Sequence, residues 1–74
     1  MANFRFIVVI ENDSDGYYAY CPELQGCYAQ GGTYEETLKN IKDAIALHVK
    51  DRVENSEQVP QLEFASLTTI EVAA

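Results

Sequence analysis

The sequence predicts a small α+β domain of three antiparallel strands, one crossover helix and a fourth strand, with the helix on one sheet face. Three observations carry this reading. A β-branched and aromatic run at residues 4–11 meets the turn-forming string Asn12-Asp13-Ser14-Asp15-Gly16. Pro22 and Gly26 frame a second reversal. Gly31-Gly32-Thr33 then ends a strand and opens a run, residues 34–53, with apolar side chains at helical spacing.

In the first strand, Phe4, Phe6, Val8 and Ile10 alternate to one side and Ile7 and Val9 to the other. Asp15-Gly16 closes the hairpin, because glycine accepts the positive φ that a tight turn needs. Residues 17–21 return as the second strand. Pro22 has no N–H for a ladder and should end it. Residues 23–26 read as a loop and residues 27–30 as a third short strand. The helix begins with a capping box, Thr33 at the N-cap and Glu36 three residues on. Glu35 and Glu36 also suit the positive end of the helix dipole. At 100° per residue, Tyr34, Leu38, Ile41, Ile45, His48 and Val49 share a face, while Leu47 falls near the opposite side. Residues 54–61 are polar, contain Pro60 and read as a loop. Residues 66–72, extendable back towards Leu62, read as the last strand. The simplest layout sets that strand beside the first and parallel to it, through a right-handed crossover.

The chain of 74 residues forms one domain, residues 1–74, without repeats. A chain this short buries only about 60–65% of its unfolded surface, so its core is marginal and self-association is the natural supplement. Both faces of the first strand are apolar, yet one helix covers only one of them. A solvated second face would alternate to polar residues. Uncovered aliphatics and tyrosines mark an interaction surface instead. A homo-oligomer is expected, with Ile7, Val9 and Leu47 as contacts.

The formal charge is −7, from twelve acids and five bases. Those bases, Arg5, Lys39, Lys42, Lys50 and Arg52, are scattered and form no phosphate-neutralising cluster. Direct nucleic-acid binding is not expected. The acidity suits a basic protein partner, or serves solubility alone. The longest apolar run, residues 6–10, is too short to span a membrane, and no signal peptide opens the chain. A cytoplasmic protein with reduced Cys21 and Cys27 is expected.

No chemistry-bearing constellation stands out. His48, the only histidine, has no nucleophile or serine elbow to serve and reads as packing at the edge of the helix stripe. Glu11, Asp13 and Asp15 invite a two-metal reading, but Asn, Asp and Ser around a glycine are ordinary turn chemistry. Cys21 and Cys27, six positions apart, read as small buried thiols. Gly31-Gly32 lacks the strings of a phosphate loop. No catalytic residue, metal or cofactor is expected. Four of the five tyrosines lie on expected strands. An RNA-stacking platform would need a basic groove, so they read as protein-interface anchors.

The string D-G-x-x-x-x-x-P-E-L-x-G-C-x-x-x-G-x-T-x-E-E-x-x-x-N-I-x-x-A-I, from Asp15 to Ile45, resembles the HicB-type antitoxin family, and the resemblance extends over residues 4–49. Gly32 departs from it, since the family often has Asp there. The resemblance implies a truncated RNase H-like fold without nuclease chemistry. It also implies a partner: a small, basic HicA-type toxin that cleaves messenger RNA and whose catalytic site is covered. Many members add a C-terminal DNA-binding domain. The chain ends at Ala74 without one, so operator binding is not expected of these residues. Tyr18 and Tyr20, alternating together on one strand face, are the expected partner anchors. Asp13, Asp15, Glu23, Glu35 and Glu36 are the expected acidic rim. The alternatives are a self-associating domain with no toxin partner, or a small metal-dependent hydrolase using Glu11, Asp13 and Asp15.

Overall fold

The computed structural model describes residues 3–74. The chain runs β1 (Val9–Asp13), β2 (Gly16–Tyr20), β3 (Tyr28–Gly31) and α1 (Tyr34–Glu54). The strands form one antiparallel sheet in the order β1-β2-β3. Val9 pairs with Tyr20 and Asp13 with Gly16, which leaves Ser14-Asp15 as a two-residue turn. Asp13 Oδ1 accepts the Asp15 N–H at 2.8 Å, and Gly16 takes φ +130°. On the other side of β2, Tyr17 pairs with Gly31 and Tyr20 with Tyr28.

The first strand is shorter than expected. Its ladder stops at Val9 because β2 stops at Tyr20: the next residue, Cys21, turns its N–H to Cys27 O (3.1 Å), and Pro22 has none to give. The backbone before Val9 is fastened by side chains instead. Ile7 N–H donates to Glu23 Oε1 at 2.7 Å, and Arg5 N–H to Gln61 Oε1 at 3.1 Å.

The core is Ala19, Cys21, Leu24, Cys27 and Ile41, with Phe6, Val8, Ile10, Ala29, Ala44 and Ile45 packed against it. The alternation expected of the first strand therefore holds, with Phe6, Val8 and Ile10 facing the helix. The helix stripe is rotated from the expected one. Thr37 is fully buried, whereas Tyr34 and Leu38 are nearly half exposed. The cause is close approach. A Cβ on Gly31 would lie 2.5 Å from Thr37 Oγ1 and 2.9 Å from Thr37 N, so glycine lets the helix backbone press on β3 there. Thr37 disposes of its hydroxyl by donating to Thr33 O at 2.8 Å. Asn40 Nδ2, donating to Gln30 O at 2.9 Å, ties the next turn to β3.

Thr33 caps the helix as expected, its Oγ1 accepting the Glu36 N–H at 3.1 Å. The reciprocal bond from the Glu36 carboxylate is not among those the described residues make. At the far end, Ser56 N–H donates to Val53 O and Glu57 N–H to Arg52 O. This closes a Schellman motif, with Ser56 at φ +56° where glycine is commoner.

The expected fourth strand is not formed. Among the described residues, 66–72 make no ladder, and the chain lacks the parallel strand of an RNase H-like layout. The segment passes Ile7 to Ile10 through Ala65, Ser66 and Leu67, but little packs on its side chains. Strand propensity without such packing is weak.

Candidate partner-binding surface

The sheet face away from the helix is the candidate site, and strand alternation builds it. β2 sends Ala19 inward under Ile41, and Tyr18 and Tyr20 outward. Residues directly opposite across a ladder share a face. Val9 therefore joins Tyr20, Glu11 joins Tyr18, and Tyr28 joins Tyr20. The rings form a contiguous patch. Tyr18 stacks on Tyr28 with centroids 6.1 Å apart and planes at 27°, and lies 6.0 Å from Tyr20. Offset aromatic pairs at this spacing are favourable beyond their buried area. Tyr28 remains 60% exposed and Tyr18 38%. Ile7 lies beside them, exposed to the same degree as Tyr18.

Tyr18 and Tyr20 thus lie side by side. Tyr28, not among the expected anchors, completes the patch. Its signal was available: it alternates with Gln30 on β3, as Tyr18 does with Tyr20 on β2. Tyr17 points the other way and meets Tyr34 edge-on, with centroids 6.5 Å apart. Ile7 and Val9, expected as oligomer contacts, flank the tyrosines. Leu47, expected with them, lies on the exposed side of α1 and is not part of this face.

The five expected rim acids separate into two groups. Asp13 and Asp15 line a polar cleft of about 490 Å³ with Tyr18 and Gly31. Glu35 and Glu36 follow on the first helical turn, exposed, at the same end of the sheet. Glu23 lies at the other end. Its Oε1 accepts the Ile7 N–H, and its Oε2 accepts the Leu62 N–H at 3.4 Å. It clamps the N-terminal segment to the C-terminal one, a structural task the sequence did not reveal because both partners are distant along the chain.

Cys21 and Cys27 are free and buried. Burial pushes both thiols up. For Cys21 the backbone N–H groups of Glu23 and Leu24 partly oppose this. Neither thiol reaches the tyrosine face. Among the described residues, no group of three or more His, Cys, Asp or Glu is placed to hold a metal ion. Among the same residues, no helix is long and apolar enough to cross a membrane.

Comparison with known proteins agrees with this architecture. The family described as the HicB-like antitoxin of a bacterial toxin–antitoxin system matches residues 6–72. A UPF0150 protein of Thermoplasma acidophilum is 40% identical over 58 residues, covering 77% of this chain and 84% of the relative. One from Synechocystis sp. is 39% identical over 59 residues, covering 78% and 75%. One from Helicobacter pylori is 56% identical over 43 residues, covering 58% and 60%. A chain in a solved HicA3 and HicB3 toxin–antitoxin complex superposes with a TM-score of 0.64, over 82% of this chain and 72% of that one. At 22% identity that likeness speaks for the fold. With a family match over nearly the whole chain and relatives at these identities, the protein belongs to the HicB-like antitoxin family.

Proposed function

We propose that this chain is an antitoxin-like binding module: it neutralises a small, basic HicA-type toxin that cleaves messenger RNA by covering the toxin's catalytic site, and it supplies no chemistry itself. The observation that carries this is the uncovered tyrosine face. Three rings, Tyr18, Tyr20 and Tyr28, share a surface that the helix does not cover, beside the acids Asp13 and Asp15, while Glu35 and Glu36 add charge from the first helical turn at the same end of the sheet. Tyrosines are strong interface anchors. A net charge of −7 steers a basic partner inwards. The turn bond made by Asp13 gives the hairpin acids an ordinary structural purpose, which favours binding over hydrolysis. An RNA-cleaving partner sets the pair in the cytoplasm. The chain also self-associates on this reading. Ile7 and Val9 adjoin the tyrosines, so a second copy and a toxin would compete for that face, whereas Leu47 stays available to a copy alone.

The test pairs the protein with a HicA-type toxin encoded beside its gene. RNA cleavage should stop at an equimolar ratio. Tyr20→Ala should speed dissociation about thirtyfold, the effect of losing about 2 kcal/mol at an aromatic anchor. Glu35→Lys should mainly slow association and flatten its salt dependence. RNA cleavage that persists in the presence of excess wild-type protein overturns the proposal.

A further inference from the structure

The C-terminal arm, residues 62–74, is the part of the molecule that its own fold accounts for least. Its root is pinned. The Gln61 side-chain amide brackets the Arg5 backbone, accepting its N–H and donating to its carbonyl at 2.7 Å. The arm then passes Ile7 to Ile10, where Ala65 and Leu67 help to line a cleft. Beyond the root little covers it. Phe64, Leu67, Ile70 and Val72 are 78–90% exposed. The radius of gyration, 14.4 Å, exceeds the roughly 11 Å of a compact chain of this length. When extended, the arm carries Phe64, Ile70 and Val72 on one side and Glu63, Leu67 and Glu71 on the other, with no base.

A complementary groove exists elsewhere. On the helix side, residues 3–6 and α1 enclose an apolar cleft of about 570 Å³ walled by Phe4, Phe6, Ile45, Val49 and Val53. Lys42 and Lys50 also line it, two of the five bases in an otherwise acidic chain. An apolar arm edged with acids matches an apolar groove edged with lysines. The arm cannot serve its own groove by simple continuation, because it leaves Arg5 in the direction of Ile10, away from Asn3 and Phe4.

We infer that the arm of one chain docks in the Lys42/Lys50 groove of a second copy, and that the exchange is reciprocal. A reciprocal exchange closes a two-fold dimer and leaves no arm over. The inference rests on the self-association proposed above and changes its surface. The copies meet through arm and groove, and the tyrosine face stays free for the protein partner.

Sedimentation equilibrium on the full chain at micromolar concentration tests it. The wild type should be a dimer. Phe64→Ser with Ile70→Ser should raise the dimer dissociation constant at least about thirtyfold. Both side chains are exposed within one chain, so their loss should leave the monomer's circular dichroism unchanged. Lys42→Glu with Lys50→Glu should weaken the dimer about tenfold, and adding Glu63→Lys with Glu71→Lys should restore it. A monomeric wild type overturns both self-association and the exchange. A dimer indifferent to Phe64 and Ile70 overturns the exchange alone. A charge reversal that the swap does not rescue overturns the groove as its seat.

Discussion

The two faces of this sheet are made from alternate residues of the same strands, yet they are built to opposite rules. Under the middle of the helix, β2, the residue after it and β3 present small residues, Ala19, Cys21, Ala29 and Gly31, between Tyr17 at one end and Phe6, Val8 and Ile10 alongside. That lets α1 settle until Thr37 and Ile41 are fully buried. Away from the helix the same strands carry Tyr18, Tyr20 and Tyr28, whose rings adjoin one another, with Tyr18 and Tyr28 exposed and Tyr20 half-buried beside Val9. The first face is closely packed where Gly31 meets Thr37, and there added volume decides stability. The second holds large side chains that the fold does not use. The difference separates residues kept for folding from residues free for recognition, within one five-residue strand.

The largest effect should come from crowding the packed face. Gly31→Val would drive a side chain into the Thr37 backbone, and relieving it means lifting the helix. We expect a loss of about 3 kcal/mol or more in urea unfolding, at the upper end for overpacking. Tyr28→Ala on the open face gives up only its stacking on Tyr18 and should cost about 1 kcal/mol or less. Equal losses at the two positions would erase the distinction between the faces.

A smaller effect tests how the helix is started over the packed face. Thr33→Ala removes the acceptor of the Glu36 N–H and should cost about 1 kcal/mol. Without a reciprocal bond from Glu36, Glu36→Ala should cost less than Thr33→Ala. A larger loss at Glu36 would mean that its carboxylate closes the box in solution.

The smallest effect sharpens the contrast by pH. Burial raises the Cys21 and Cys27 thiols above the usual range, so the folded chain keeps protons that the unfolded chain would release. This stabilisation is complete below the ordinary thiol range and fades as pH rises through the raised values. Urea midpoints of the wild type should fall above about pH 8.5 more steeply than those of a Cys21→Ala, Cys27→Ala variant. Parallel curves would mean that the thiols are solvated, and that the packed face does not extend to the Cys21–Cys27 loop.

Much of the framework was legible because it is local. The hairpin needs Asp13, Asp15 and Gly16, all within four residues. The helix start needs Thr33 and Glu36. The alternation of Phe6 and Val8 against Ile7 and Val9 needs only the period of a strand. Features that depend on distant partners were hidden. Glu23 read as a free acid, yet it holds backbone N–H groups 16 residues before it and 39 after it. Thr37 was not on the expected apolar stripe, and its close approach to Gly31 goes with its complete burial.

By itself the sequence determined the order of the first four elements, the sorting of side chains onto two sheet faces, and the family. Each of these follows from periodicity, turn chemistry or the order of motifs along the chain. The tertiary structure alone decided where the first strand stops pairing, which helical positions are buried, and that residues 66–72 form no strand. The reason is the same in each case. A ladder, a buried face or a docked arm exists only when a second surface meets it, and a one-dimensional pattern does not specify which surface that is.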